Sequence, residues 1–261
     1  MVEKQRKNQL ADIVPPLLAW YGHNARALPW RRDREPYHVW VSEIMLQQTR
    51  VEAVRGYYER FLQALPDVRA LADCPEERLM KLWEGLGYYR RARNLQKAAK
   101  TVMAEHGGVF PADYASIRAL AGVGEYTAGA VCSICFGEAT PAVDGNVLRI
   151  MARLTDCHQA IDAPAVRRSF DEQLRAIYPP DAAGTFTQAL MELGACVCTP
   201  RSPRCAACPV RASCEGHAAG TQTALPVRKP KKARREEERT VFLLCANGKL
   251  ALQKRPDGGL L

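Results

Sequence analysis

LAGVGEYTAGA, residues 120–130, sets two glycines around a valine between two helical patterns. A helix is predicted to end at Leu120 and another to begin near Glu125. Gly122 and Gly124 permit a tight turn through backbone angles closed to other residues. The missing Cβ atoms also let another backbone approach closely. The helix that follows presents N–H groups without intrahelical partners, a ready seat for a phosphate. On its own residues the stretch reads either as a plain Gly-rich turn or as a grip on an anionic backbone.

Outward from it, most of the chain to about residue 195 reads as helix. Ile44, Val51, Tyr58, Phe61 and Leu65 recur at steps of seven, seven, three and four residues, as on one helix face. Ser42 stands where an N-cap is expected. Further helices are predicted over 76–83, 91–105, 114–120, 126–136, 147–154, 165–176 and 185–193, with Gly, Pro and Asp between them. No strand alternates with these helices, which argues against a parallel sheet. Residues 220–239 are polar and end in KPKKARREEER, the composition of an exposed linker. Beyond lies TVFLLCANGKLALQKR, where two β-rich runs flank Asn247-Gly248, a strong hairpin signal. A lone hairpin is rarely stable, so this end reads as the opening of a β-containing domain whose remainder is absent.

The chain has 261 residues and a formal net charge of +9. Such a basic excess suits either an anionic partner such as nucleic acid or a merely soluble basic protein. The N-terminus has no apolar h-region, and no run of about eighteen apolar residues occurs, so neither a signal peptide nor a membrane span is expected. The chain is therefore expected to stay in the cytoplasm, without membrane contact. Disulfides are rare in such a reducing compartment. CTPRSPRCAACPVRASC (198–214) therefore reads as a metal loop, with Cys198, Cys205, Cys208 and Cys214 at gaps of six, two and five residues. Arg201, Arg204 and Arg211 are threaded between them. Four thiolates alone do not distinguish zinc from iron. The Cys132–Cys135 pair lies in the apolar run AGAVCSICF and reads as core.

Asp144, in AVDGNVLRI (142–150), sits just before a helix, where its local role is an N-cap. A GVG hairpin followed about twenty residues on by such an Asp, and then by the four-cysteine loop, resembles the helix–hairpin–helix DNA glycosylase superfamily. LPWR (28–31), VSEIMLQQTRV (41–51), GLGYYRRARNL (85–95) and VDGNV (143–147) carry a closer resemblance, to the adenine DNA glycosylase family. The resemblance implies an all-α fold. Residues 29–139 would form a six-helix barrel module with the hairpin, and 1–28 with 140–225 an iron–sulfur cluster domain. A linker at 226–239 and the start of a truncated Nudix-like domain at 240–261 would follow. It also implies a 4Fe-4S cluster on the four cysteines, and a monomer that hydrolytically removes adenine opposite 8-oxoguanine or guanine in double-stranded DNA. Without the full Nudix-like domain, preference for 8-oxoguanine over guanine should weaken. Endonuclease III-like enzymes carry a lysine nucleophile two residues after the GVG motif. Tyr126 stands there instead, so no imine can form at that site. The alternatives are an endonuclease III-like or thymine-mismatch glycosylase, and a non-catalytic metal-dependent DNA-binding protein.

Breaking an N-glycosidic bond needs an acid at the departing base and an anion facing the sugar, a division of labour known from paired carboxylates in glycoside hydrolysis. The resemblance gives these parts to Glu43 and Asp144, with Tyr126 and Asn146 around the sugar. Glu43 must stay protonated near neutral pH. Its apolar neighbours Val41, Ile44 and Met45 favour that, whereas a place in a first helical turn would oppose it. Arg26, Leu28, Trp30, Arg31, Leu46, Gln188 and Met191 resemble the adenine pocket. Gln48 and Tyr88 resemble the residues that enter the duplex, and Gly122, Val123 and Gly124 the backbone grip. Arg90, Arg91, Arg93, Lys97 and Lys100 make one helix strongly basic, as a solvated face or as phosphate contacts.

Overall fold

Proline opens the helix that carries Glu43. In the computed structural model, which describes residues 10–230, 236–238, 240 and 242–252, α1 (Val14–Asn24) and α2 (Pro36–Leu46) both hold proline in the first turn. There its missing N–H would have had no intrahelical partner. α2 stops at Gln47, and α3 (Val51–Ala64) begins after a sharp turn in which Gln48 takes φ 60°. The periodic face around Ile44 and Phe61 is therefore two helices. Ser42 is not a cap but an interior residue, 1% exposed, whose hydroxyl donates to Val39 O at 2.7 Å.

The chain continues through α4 (Val68–Asp73), α5 (Glu76–Trp83), α6 (Arg90–Glu105), α7 (Tyr114–Ala119), α8 (Glu125–Phe136), α9 (Gly145–Leu154), α10 (Pro164–Arg175), α11 (Ala183–Cys196) and α12 (Glu215–Ala218). Asp67, Asp113 and Asp144 cap α4, α7 and α9, each side chain accepting from backbone N–H groups of the first turn. The seven further predicted helices all form, with ends moved by at most three residues. α1, α4 and α12 had no prediction; α4 and α12 are too short to show a period.

One compact unit spans 1–229 and a second 230–261. The first has two hydrophobic cores. α2 to α8 enclose one, around Trp40, Phe61, Trp83 and Leu95. α1, α9, α10 and α11 enclose the other, around Leu17, Met151, Leu174 and Phe186. Burying a side chain of this size stabilises the fold by roughly 2–3 kcal/mol. The cores meet where α8 packs on α11. A Cβ on Gly184 would lie 2.7 Å from Ser133 O, so this crossing requires glycine. Thr187 donates to the Ser133 hydroxyl across the same crossing at 2.7 Å. Residues expected to start the linker remain bound to the first unit, Ile161 N donating to Val227 O at 3.0 Å and Lys229 N to Asp162 Oδ1 at 3.1 Å.

In the second unit β1 (Cys245–Ala246) pairs antiparallel with β2 (Lys249–Leu250). Asn247 and Gly248, at φ 51° and 71°, make the two-residue turn that the dipeptide predicts. The rest of the predicted hairpin segment, at 241 and 253–261, lies outside the described residues. So do 231–235 and 239 of the expected linker and 1–9 of the expected cluster domain. No helix of the described residues is long and apolar enough to cross a membrane.

Candidate active site

Between the two cores lies a cavity of about 250 Å³. Glu43, Tyr126, Asp144 and Asn146 line it, together with Arg26, Leu28, Trp30, Arg31, Leu46, Gln188 and Met191. Thus the four candidate catalytic residues and all seven candidate base-pocket residues, drawn from five segments of chain, face one space. A larger cavity of about 660 Å³ adjoins it, sharing Arg26, Leu28, Arg31 and Gln188 but neither Glu43 nor Asp144.

Glu43 is the eighth residue of α2, not part of its first turn. The helix N-terminus therefore does not favour its anion. The side chain is buried, the residue 6% exposed. Burial raises its carboxyl to about 7; the Tyr126 hydroxyl pulls it down, Asp144 pushes it up and Arg31 pulls it down more weakly. A carboxyl titrating there carries a proton to donate near neutral pH. Tyr126 is in the first turn of α8, directly after the hairpin. Burial, then the charges of Glu43 and Asp144, push its hydroxyl well above the usual tyrosine range, so it stays a proton-bearing donor.

Asp144 caps α9 and faces the same cavity. Its Oδ1 accepts from Asn146 N and Val147 N, both at 2.8 Å, and its Oδ2 from Asn146 Nδ2 at 2.8 Å. Capping and facing the cavity are thus compatible. Asn146 Oδ1 accepts in turn from Arg149 Nη2 at 2.9 Å, and Arg149 also donates to Gly194 O and Cys198 O.

The pocket's polar wall rests on a residue the sequence reading missed. Glu192, fully buried on α11, accepts from Arg26 Nε at 2.6 Å and Arg31 Nη2 at 2.8 Å. Burial alone would raise its carboxyl, but the Arg26 hydrogen bond and the Arg31 charge outweigh it and hold it near 2. A lone Glu within the apolar run ALMELGACV, four residues after Gln188, was the available signal. Gln188 is held by Tyr21, whose hydroxyl donates to Gln188 Oε1 at 2.5 Å.

The hairpin runs directly into Tyr126 on this cavity. Gly122 takes φ 79°, and a Cβ there would lie 2.8 Å from Asn94 Cβ, so both conformation and space require glycine. Gly124 differs from expectation: it is extended at φ −94°, with nothing near a Cβ position. Its backbone would admit other residues, and what it leaves is an open N-terminus on α8 without a side-chain cap. Val123 is buried, and its backbone is engaged within the protein, its N–H donating to Leu120 O at 3.1 Å and its carbonyl accepting from Arg118 Nη1 at 2.9 Å. Gln48 and Tyr88 stand outside the cavity, exposed, each with a left-handed backbone. On α6, Arg91 is buried and points inward, unlike its exposed neighbours Arg90 and Arg93, and so belongs to neither reading of the basic helix.

None of the ten cysteines forms a disulfide. Cys132 is fully buried core, and burial pushes its thiol up to about 12. Cys198, Cys205, Cys208 and Cys214 line one small cavity with Arg153, His217 and Gln222. Among the described residues no three His, Cys, Asp or Glu side chains gather as a single metal ion would need. Arg153 is 1% exposed and pairs with no described carboxylate. It donates to Cys198 Sγ at 3.3 Å and to the carbonyls of Thr199, Pro200 and Leu225. His217 Nδ1 and Gln222 Oε1 are buried here without hydrogen-bond partners. Arg201, Arg204 and Arg211 are all exposed, and Arg204 also donates back to Cys196 O.

A helix–hairpin–helix leading into Tyr126, on a cavity shared by a buried acid and a capping aspartate, defines a class. The chain belongs to the HhH-GPD superfamily of base excision DNA repair proteins, whose profile matches residues 41–176. Within it the chain is 42% identical over 206 residues to the adenine DNA glycosylase of Mycolicibacterium smegmatis, covering 78% of this chain and 69% of that one. It is 38% identical over 295 residues to the adenine DNA glycosylase of Arabidopsis thaliana, covering 98% and 47%. These similarities make it a member of the adenine DNA glycosylase family. It spans about half the length of the plant and rodent relatives it matches. In the solved structures, that of a thermostable thymine-DNA glycosylase matches with TM-score 0.74 at 25% identity, covering 84% of this chain and all of that one.

Proposed function

We propose that this chain is a monofunctional glycosylase that hydrolyses the N-glycosidic bond of adenine mispaired with 8-oxoguanine or guanine in duplex DNA, acting as a monomer. The observation that carries the reading is the buried Glu43 carboxyl, raised to about 7, sharing one cavity with Asp144. A target base turned out of the stack enters between Trp30, Leu28 and Leu46 on the apolar side and Arg31 and Gln188 on the polar side. Glu43 protonates adenine at N7, so the base departs neutral. Asp144, fixed by its cap bonds, faces the sugar as positive charge develops there. Tyr126 donates toward the carboxylates and Asn146 keeps Asp144 turned to the cavity. A water then completes the hydrolysis. With tyrosine at 126, no amine at that position traps the sugar, which favours hydrolysis over strand cleavage.

The four-cysteine cavity fits a 4Fe-4S cluster. A cluster binds each cysteine at a different iron, so the thiols need not converge on one point. Its negative charge would also answer the buried, carboxylate-free Arg153, and the cavity carries two orphaned polar atoms. Cys198, Cys205, Cys208 and Cys214 would hold it. The cluster would supply shape to the loop, because base hydrolysis transfers no electrons, and would present Arg201 and Arg211 toward phosphates. The residues around the first core would act as the barrel module, those around the second as the cluster domain.

Single-turnover assays on A:8-oxoguanine, A:G, T:G and oxidised-pyrimidine duplexes, each with and without alkaline strand scission, test the reading. Base release confined to the two adenine mispairs, with strand breaks only after alkali, is expected. Release of thymine or an oxidised pyrimidine instead, or breaks without alkali, would refute it. Iron analysis should find about four irons per chain; zinc in their place would refute the cluster.

A further inference from the structure

A single guanidinium ties together the two exposed residues that stand outside the cavity. Arg91 Nη1 donates to Ile44 O at 2.9 Å, Met45 O at 2.9 Å and Gln47 O at 2.6 Å. Its Nη2 donates to Leu86 O at 3.0 Å and Gly87 O at 3.3 Å, and to Thr49 Oγ1 at 3.2 Å. The first group of carbonyls leads directly into Gln48, the second into Tyr88. The guanidinium also lies 5.6 Å from the centroid of the Tyr88 ring itself. No described carboxylate pairs with Arg91. Its charge is met by the carbonyls at the end of α2, the negative end of that helix.

Gln48 at φ 60° and Tyr88 at φ 48° hold left-handed backbones despite their Cβ atoms. Such a backbone is unfavourable for a residue with a Cβ and persists only where its surroundings over-determine it. Here the surroundings are common to both. We propose that Arg91 is a positioning residue that presets Gln48 and Tyr88 as one unit, so that the protein meets duplex DNA with both already raised. This rests on the reading that these two side chains enter the duplex. Opening a base pair is then not burdened with ordering two loops as well. A lysine, a compact charge with three donors, cannot span both sets of carbonyls.

The test is a double-mutant cycle on the full chain: Arg91→Lys, Gln48→Ala with Tyr88→Ala, and all three together. The probe is a duplex with 2′-fluorinated adenosine, which resists hydrolysis, opposite 8-oxoguanine, compared with a fully matched duplex. Circular dichroism establishes that each variant is folded, and Arg91→Gln is carried in parallel in case the lysine variant is not. Alone, Arg91→Lys should lower the mispaired-to-matched affinity ratio by about tenfold, but by less than about twofold when Gln48 and Tyr88 are already alanine. A merely structural arginine would weaken both duplexes alike or add its loss in full, and either result overturns the proposal. If the Gln48→Ala, Tyr88→Ala variant itself keeps the full ratio, the duplex-entry reading falls and takes the proposal with it.

Discussion

Replacing Glu43 by glutamine should abolish base release and yet make the protein more stable at alkaline pH. The carboxyl is buried and moved from 4.5 to about 7. Folding therefore favours its protonated form. Below pH 4.5 both folded and unfolded chains carry the proton and the shift has no effect on stability. Between 4.5 and 7 the folded chain holds a proton that the unfolded chain has lost, so stability falls as pH rises, by about 1.4 kcal/mol per pH unit. Above 7 the whole penalty is present, on the order of 3 kcal/mol. Glutamine keeps the shape and has no such penalty. Urea unfolding followed by circular dichroism, at pH 5.5, 6.5, 7.5 and 8.5, should show the variant gaining on the parent up to about pH 7 and levelling off. With slopes of about 1–3 kcal/mol/M the midpoint gap at pH 8.5 is about 1 M or more. In the same pH series the parent's single-turnover base release should fall as pH rises above 7, and the variant should release none. A gap that does not change with pH would refute the buried raised carboxyl, and normal release by the variant would refute its role as the acid.

Asp144→Asn should lose base release while keeping most of the helix cap, because asparagine caps about as well as aspartate; circular dichroism beside the assay separates a chemical loss from an unfolded helix. Gly122→Ala should destabilise by at least about 1 kcal/mol in thermal or urea unfolding, since it meets both a left-handed backbone and the Asn94 side chain. Gly124→Ala should stay within about 0.5 kcal/mol and show its effect in DNA affinity instead. Glu192→Gln should destabilise by roughly 3 kcal/mol, because it leaves Arg26 and Arg31 beside an uncharged partner. The freed Arg31 charge would then pull the Glu43 carboxyl down, so the alkaline fall in base release should move to lower pH.

Local chemistry wrote much of this protein into its sequence. Helix spans followed from apolar periodicity, and the Asp144 cap and the Asn247-Gly248 turn from residue type, because each depends on neighbours within a few positions. Family motifs then named the side chains around Glu43, although nothing in their spacing says that residues 26 and 188 face one cavity. Where the local reading failed, the deciding partner was distant. Sequence alone places Ser42 at an N-cap and Glu43 in a first helical turn, but Pro36 starts that helix earlier and the turn at Gln48 ends it, which moves Glu43 away from the N-terminal dipole. Arg91 was counted with a basic face, yet carbonyls from two other loops draw it inward. The Glu192 pair with Arg26 joins positions 166 residues apart. Burial and charge pairing are properties of the assembled cores, and a carboxyl's proton affinity depends on them rather than on its sequence neighbours. Sequence thus determined which residues could act; only the closing of the two helical cores over one cavity decided that Glu43 holds a proton to give.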